Sequence, residues 1–140
     1  MKESTDRRNT RQRQVVLEAV RDLEGSHPTA DRVYDQVRLD LPRISLSTVY
    51  RNLGILSEQG RIQPFRGAGP EVHYDCRTED HCHAQCRVCG RVLDLPTDAI
   101  DHAVVRWGDA DGFIVEEVVV TVVGTCTLCR GTAKDRREQP

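Results

Sequence analysis

Residues 44–60 read ISLSTVYRNLGILSEQG and decide the fold of the first half of the chain. A serine at position 45, apolar residues at helical spacing and a glycine at position 60 predict a helix with a capped start and a glycine end. The face opposite the apolar stripe carries side chains that can hydrogen-bond to bases and phosphates: Ser47, Thr48, Tyr50 and Arg51. The pattern indicates a helix presented to nucleic acid, and it also fits an ordinary solvated helix face.

Two further helices are predicted before this stretch and a hairpin after it. Apolar residues at helical spacing mark residues 10–23, with Thr10 as the N-cap, and residues 29–37. Residues 61–66 and 71–75 flank a Gly-Ala-Gly-Pro turn, which indicates two short strands. Three helices followed by a hairpin predict a winged helix-turn-helix, the arrangement in which the third helix enters the major groove of DNA.

The second half of the chain differs from the first in charge. Residues 1–70 hold 12 basic and 9 acidic side chains, and residues 71–140 hold 8 and 13, so the net charges are +3 and −5. This asymmetry favours phosphate contact in the first half and cation binding in the second. An uneven spread of solvated charges would look the same.

The second half is predicted to be a small α/β domain. Short strands are expected around residues 84–86 and 91–95, a helix over residues 97–107, and a long β-branched run over residues 113–123. Such a run promotes aggregation when it is left open on a sheet edge. We therefore expect a second copy of the chain to cover it, which makes the protein a homodimer.

The second half also contains two CxxC pairs, Cys86 with Cys89 and Cys126 with Cys129. Two such pairs can complete the tetrahedral four-thiolate shell that zinc prefers. Disulfides are disfavoured because no secretory signal is seen, and a redox CxxC would need a βαβ setting that this sequence lacks. The pairs predict one structural Zn²⁺ per chain.

A second set of possible ligands surrounds these cysteines. His81 and His83 are two residues apart, hence on one face of a strand, with Asp75 upstream and Asp94 downstream. Nitrogen and oxygen ligands of this kind suit Fe²⁺, Mn²⁺, Zn²⁺ or Co²⁺. Single histidines are more often surface residues than ligands, but a His-x-His beside four cysteines favours a second metal site.

Length and composition set the class and exclude several functions. No apolar run reaches the ~20 residues of a membrane span and the first residues are charged, so a cytoplasmic protein without a membrane partner is expected. An HExxH helix, a paired nucleophile and a glycine-rich phosphate loop are missing, so no enzyme acting on a small organic substrate is expected. The chain is predicted to be α+β, with a DNA-binding domain over residues 1–75 and a metal-binding dimerisation domain over residues 76–140.

Five separated motifs carry a resemblance to a known family. They are GSHPTAD at residues 25–31, SLSTVYRNL at residues 45–53, DHCH at residues 80–83 and the two CxxC pairs. In this order and spacing the sequence resembles the ferric uptake regulator (Fur) family over roughly residues 10–130. The resemblance implies a homodimeric, metal-responsive transcriptional repressor that binds double-stranded DNA at an AT-rich inverted repeat.

The resemblance also implies a role for each candidate ligand. The four cysteines would hold structural zinc, and a regulatory Fe²⁺ or Mn²⁺ would lie between the domains, held by His27, Asp75, His81, His83 and Asp94. Aspartate at both carboxylate positions resembles the peroxide-sensing branch (PerR), in which iron reacts with hydrogen peroxide and oxygen is added to ligand histidines. Residue matching makes His27 and His81 the oxidised pair. The alternative is a Fur-type iron, zinc or nickel uptake regulator without peroxide sensing.

The sequence departs from the family pattern at its start. Few residues precede position 10, so the additional N-terminal helix of the family is expected to be truncated or absent. A flexible basic arm is expected to replace it and to contact DNA, through Arg7, Arg8, Arg11 and Arg13. His73 and His102 match no ligand position of the family and are expected to be surface residues.

Overall fold

A computed structural model of the protein describes residues 2–79, 81–96, 112, 114 and 120–131. The chain divides into two compact units, Met1–Glu79 and Asp80–Pro140. The sequence-based boundary after residue 75 falls inside the first unit. Asp75 ends a strand of that unit. Its Oδ1 accepts a hydrogen bond at 2.8 Å from the N–H of Arg77, which ties the two residues after the strand to the strand's last residue.

The first helix is longer than the sequence predicts. Helix α1 spans Lys2–Asp22, so Thr10 lies inside it, where its Oγ1 donates to the carbonyl oxygen of Asp6 at 2.9 Å. The predictions of an N-cap at Thr10 and of a flexible arm are therefore wrong, because the four arginines of that arm lie on helical backbone. Among the described residues, three helices precede the hairpin, and no separate helix precedes α1. The apolar residues that pack α1 against the core begin at position 15. Residues 2–9 contain neither proline nor glycine, so the helix can extend through them towards the N-terminus.

The other two helices begin and end where the sequence predicts. Helix α2 spans Ala30–Val37 and helix α3 spans Leu46–Glu58. The Oγ of Ser45 accepts a hydrogen bond from the N–H of Thr48 at 3.2 Å, which caps the start of α3. Gly60 follows the end of α3 with a φ of +67°, the left-handed conformation that glycine adopts without steric cost.

The three helices of the first unit enclose one hydrophobic core. Its fully buried side chains come from every helix and from the residues just after α3: Val16, Leu17, Val20, Val33, Val37, Val49, Leu53, Leu56 and Ile62. Leu53 and Leu56 anchor α3 to this core. The opposite face of α3, with Ser47, Tyr50 and Arg51, is exposed.

A two-stranded hairpin completes the first unit. Strand β1 spans Gln63–Arg66 and strand β2 spans Val72–Asp75, and they pair antiparallel with Phe65 opposite His73. This agrees with the hairpin predicted on either side of the Gly-Ala-Gly-Pro turn. Asp75 stands at the end of β2, opposite Gln63.

The second unit contains a three-stranded mixed sheet in the order β4-β3-β5. Strands β3 (Cys82–Cys86) and β4 (Val92–Leu95) are antiparallel, and His83 pairs with Asp94. Strand β5 (Thr121–Gly124) lies parallel to β3 on its other side. The sheet brings the turns after β3 and after β5 to the same end.

Two predicted elements of the second half lie wholly or partly outside the described residues. The helix expected over residues 97–107 lies outside the described residues. The β-branched run of residues 113–123 is described at residue 114 and from residue 120, and its last three residues belong to β5. Among the described residues, no helix combines the length and apolarity needed to cross a membrane.

Candidate metal centres

The four cysteines of the CxxC pairs lie together in the second unit. Cys86 ends β3, Cys89 lies in the following turn, and Cys126 and Cys129 lie just beyond β5. The four Sγ atoms lie within 4.8 Å of one another. The parallel pairing of β3 with β5, which sets Cys86 opposite Gly124, is what brings the two pairs together.

This arrangement fits a single zinc ion. Thiolate sulfurs bind zinc at about 2.3 Å, and a tetrahedron of that radius has edges of about 3.8 Å. The Sγ atoms of Cys89 and Cys126 are 3.8 Å apart, which is the length of one such edge. All six cysteines of the chain are free thiols, so no disulfide competes for these sulfurs.

Two of these four thiols, those of Cys86 and Cys129, have shifted pKa values. Backbone N–H groups, first that of Cys126 at 3.3 Å and then those of Cys89 and Val88, stabilise the thiolate of Cys86 and lower its pKa to about 6. Hydrogen bonding to the sulfur of Cys126 raises the pKa of Cys129 to about 12, with smaller contributions from burial and the other cysteines. A cation bound by all four sulfurs would displace their remaining protons into solvent, because the metal binds the thiolate form.

In the first unit, one histidine and one carboxylate face each other. His27 lies in the loop between α1 and α2, and its Nε2 is 3.5 Å from Oδ2 of Asp75 at the end of β2. Both side chains are buried, at 3% and 5% exposure. The other oxygen of Asp75 accepts the N–H of Arg77, which fixes the orientation of the carboxylate. Imidazole nitrogen and carboxylate oxygen form a donor pair suited to Fe²⁺, Mn²⁺ or Zn²⁺.

In the second unit, two histidines share one carboxylate oxygen. The Nε2 atoms of His81 and His83 lie 3.2 and 3.4 Å from Oδ1 of Asp94. The two imidazole rings are 4.5 Å apart between centroids, so the His-x-His spacing does point both rings to one side. Three potential ligand atoms therefore converge in this unit.

The residues predicted to contact DNA lie on two helices of the first unit. On α3, Ser47 and Arg51 are exposed and Tyr50 is 50% exposed, whereas the Oγ1 of Thr48 lies 2.8 Å from the capping Oγ of Ser45. On α1, Arg11 is exposed. Arg13 is half-buried, and its Nε is shielded from solvent.

One histidine that the sequence places on the surface is buried. His73, on β2, is only 9% exposed, and its Nδ1 lies 2.7 Å from the carbonyl oxygen of His27. The surface prediction for His73 is wrong because the contact joins residues 46 positions apart in the chain. Alternation along β2 could not have identified it, because His73, Tyr74 and Asp75 are all buried in succession. His102, the other histidine predicted to be a surface residue, lies outside the described residues.

Comparison with known proteins agrees with this architecture. The model of the ferric uptake regulator family matches residues 4–123. The chain belongs to this family. The peroxide operon regulator of Bacillus subtilis (strain 168) is 31% identical over 122 residues, which are 87% of this chain and 83% of that protein. The transcriptional regulator FurA of Mycobacterium tuberculosis (strain H37Rv) is 33% identical over 129 residues, 90% of this chain and 85% of that protein.

Solved structures of the Fur family show the same fold. The peroxide stress regulator of Campylobacter jejuni superposes with a TM-score of 0.69 at 28% identity, covering 92% of this chain and 96% of that one. Fur proteins are DNA-binding dimers that regulate transcription and are not enzymes. Their cofactors are zinc and iron or manganese, and the four-cysteine cluster and the histidine–aspartate groups supply donor atoms for both kinds of ion. The fold is α+β, as predicted.

Proposed function

We propose that this Fur-family protein is a metal-dependent repressor that senses hydrogen peroxide by iron-catalysed oxidation of ligand histidines. One observation carries the proposal: an aspartate, rather than a glutamate, accompanies the histidines in each unit. Asp75 lies 3.5 Å from His27, and Asp94 lies 3.2 Å from His81. The similarity to peroxide regulators of B. subtilis and C. jejuni supports the same assignment.

The first unit is proposed to bind double-stranded DNA as a winged helix-turn-helix. In this assignment α3 is the recognition helix and the β1–β2 hairpin is the wing, because the anchored apolar face of α3 leaves its polar face exposed. Base edges and phosphates are contacted by side chains of α3 and α1. These are Ser47, Thr48, Tyr50, Arg51, Arg11 and Arg13.

The second unit is proposed to join two copies of the chain. Leu93, Val122 and Val123 expose 39%, 40% and 40% of their surfaces on the two outer strands of its sheet, and apolar residues exposed at sheet edges favour association with another chain. A second copy would cover them. A two-fold symmetric dimer presents two recognition helices in opposite directions, which matches an inverted repeat, here proposed to be AT-rich.

Each metal has its own proposed ligands. Cys86, Cys89, Cys126 and Cys129 hold zinc and link the turn after β3 to the end of β5. The regulatory Fe²⁺ or Mn²⁺ is held by ligands from both units. These are His27, Asp75, His81, His83 and Asp94.

The division of the regulatory ligands between the units provides the switch. His27 and Asp75 belong to the first unit and the other three ligands to the second. A cation that binds all five favours those arrangements of the units in which every ligand reaches it, and it shifts the population towards them. DNA affinity then depends on metal because the spacing of the two recognition helices depends on that arrangement.

Iron bound at this site would supply the one-electron chemistry that reduces hydrogen peroxide beside the ligands. The imidazole of His27 or His81 then gains one oxygen atom at a ring carbon, and the other oxygen of the peroxide leaves as water. The ring is oxidised by two electrons and the peroxide is reduced by two, so no further reductant is needed. An oxidised ring is a poorer ligand, and the loss of metal releases DNA.

A Fur-type regulator of iron, zinc or nickel uptake that does not sense peroxide is the second candidate. The similarity to FurA of M. tuberculosis, whose name specifies no peroxide response, favours it. Both candidates share the zinc site, the DNA-binding unit and metal-dependent DNA affinity. They differ in what peroxide does to the iron-loaded protein.

The deciding experiment is peptide mass spectrometry of the Fe²⁺-loaded and Mn²⁺-loaded proteins after brief exposure to low peroxide. We expect one added oxygen on His27 or His81 in the iron form and none in the manganese form. Gel shifts on the same samples should show DNA release by the iron form alone. His73, buried in the same unit but not a proposed ligand, is an internal control that should stay unmodified.

Unmodified histidines in an iron form that binds DNA would contradict peroxide sensing and support the uptake regulator. Equal oxidation of His73 and His27 would indicate non-specific oxidation of the protein rather than oxidation at the metal site. A gel shift that never depends on metal would contradict both candidates.

A further inference from the structure

The loop that carries His27 has an unusual backbone conformation. His27 has a φ of +49°, the left-handed region, which side chains with a β-carbon adopt at a steric cost. Gly25, two residues earlier, has a φ of +83°, which glycine adopts freely. Something outside the loop must therefore compensate for the conformation at His27.

Strand β2 provides that compensation through its backbone and one side chain. The N–H of Tyr74 donates to the carbonyl oxygen of Pro28 at 2.9 Å, and Thr29 forms a β-bridge with His73. The imidazole of His73 adds a third contact, because its Nδ1 lies 2.7 Å from the carbonyl oxygen of His27. A carbonyl oxygen can only accept, so Nδ1 of His73 carries the proton and donates.

The environment of His73 keeps this donor in place. The ring is 9% exposed and stacks on Phe65 with a centroid distance of 5.5 Å and an interplanar angle of 20°. The same Phe65 ring meets the imidazole of His27 edge-on at 5.6 Å. Phe65 thus packs against both imidazoles, and His73 has little freedom to turn away from the loop.

We propose that His73 is a positioning residue that holds His27 in its ligand conformation through the hydrogen bond from Nδ1 to the carbonyl oxygen. The inference rests on the proposed role of His27 as a regulatory metal ligand and adds to it a residue outside the ligand set. A hydrogen bond to the carbonyl fixes the peptide plane after His27, and with it the direction in which the Cα–Cβ bond points. The imidazole of His27 is then already directed towards Asp75 before a cation arrives.

Two variants of His73 test its hydrogen-bond donor and its aromatic ring independently. His73→Phe keeps an aromatic ring to stack on Phe65 and removes the donor. His73→Asn removes the ring and keeps an N–H on the atom that corresponds to Nδ1. Glu71→Gln, at an exposed position just before the same strand, is the matched control.

The first measurement is Mn²⁺ affinity of the full-length, zinc-loaded protein, with zinc content and melting temperature recorded for every variant. We expect His73→Phe to bind Mn²⁺ about tenfold more weakly, the effect typical of losing a residue that orients a ligand. His73→Asn should stay within about threefold of the unaltered protein, and Glu71→Gln should match it. A general loss of stability would lower the Mn²⁺ affinity of both His73 variants, whereas a positioning role lowers that of His73→Phe alone.

The second measurement needs no regulatory metal. Nitrogen-15 NMR of the zinc-loaded protein should show His73 as the tautomer protonated at Nδ1, with slow exchange of that proton. A His73 ring protonated only at Nε2 would overturn the inference even if His73→Phe failed to fold. Equal Mn²⁺ affinities of His73→Phe and the unaltered protein, or equal losses in both His73 variants, would also overturn it. If the unaltered protein bound no Mn²⁺, the proposed ligand set would fail and the positioning role with it.

Discussion

Replacement of Cys126 by serine is expected to unfold the second unit and leave the first intact. Cys126 lies just beyond β5, its Sγ is 3.8 Å from that of Cys89, and its N–H donates to Sγ of Cys86. A serine hydroxyl stays protonated at neutral pH and does not replace a thiolate ligand of zinc. The variant therefore removes one of four metal ligands and changes little else.

The magnitude follows from how little apolar surface the second unit buries. Among its described residues, Cys86 and Val92 are the apolar side chains counted as buried, at 5% and 2% exposure. Burying a valine contributes about 1.5–3 kcal/mol. A structural zinc site contributes about 10 kcal/mol or more, which is comparable with the whole stability of a typical domain. Loss of zinc should therefore abolish the folding of this unit and leave the first unit folded, because all four proposed zinc ligands belong to the second unit.

Hydrogen–deuterium exchange with mass spectrometry, together with zinc analysis, tests this prediction. In Cys126→Ser, peptides covering residues 82–95 and 121–131 should exchange as in an unfolded chain, and peptides covering residues 46–58 should keep their protection. Cys82→Ser is the control, since Cys82 lies on β3 but outside the four-cysteine cluster. A Cys126→Ser protein that keeps full protection in residues 82–95 would refute the argument that zinc maintains this sheet.

Three further predictions concern α3. Arg51→Ala should weaken DNA binding on all sequences and reduce the slope of log affinity against log salt by about 0.9 per chain, measured by gel shift at several salt concentrations; an unchanged slope would remove Arg51 from the phosphate contacts. Ser45→Ala loses the acceptor for the N–H of Thr48 and should lower stability by about 1 kcal/mol in urea unfolding; an effect near zero would contradict the cap. Leu53→Ala, at a fully buried position, should cost about 2–5 kcal/mol in the same assay, and a loss below 1 kcal/mol would place Leu53 outside a packed core.

The elements that sequence reasoning located correctly are those with local signals at both ends. Helix α3 has Ser45 before it and Gly60 after it, and the structure gives the first its capping hydrogen bond and the second its positive φ. The hairpin has its turn residues between two short strands. The zinc site is predicted from the two CxxC pairs on the expectation that they lie together in the fold. The parallel pairing of β3 with β5 brings them together.

Sequence reasoning failed where the deciding contact was distant or where a stop signal was absent. Thr10 is a good N-cap residue, but a potential cap does not begin a helix when the preceding residues can also be helical, as those of α1 are. His73 has a polar side chain in a short strand, and only its contact with His27 explains its burial. Local propensity contains no information about that contact.

The position of Asp94 shows how strand register limits the choice of ligand. His83 and Asp94 are cross-strand partners in β3 and β4, and the side chains of such partners start about 5 Å apart. An aspartate spans this separation, which places Oδ1 of Asp94 3.4 Å from Nε2 of His83 and 3.2 Å from Nε2 of His81. A glutamate is one methylene longer and would carry its carboxylate past both imidazoles unless its side chain folded back. The short side chain and the register therefore act together, because the same aspartate in a shifted register would face away from His83.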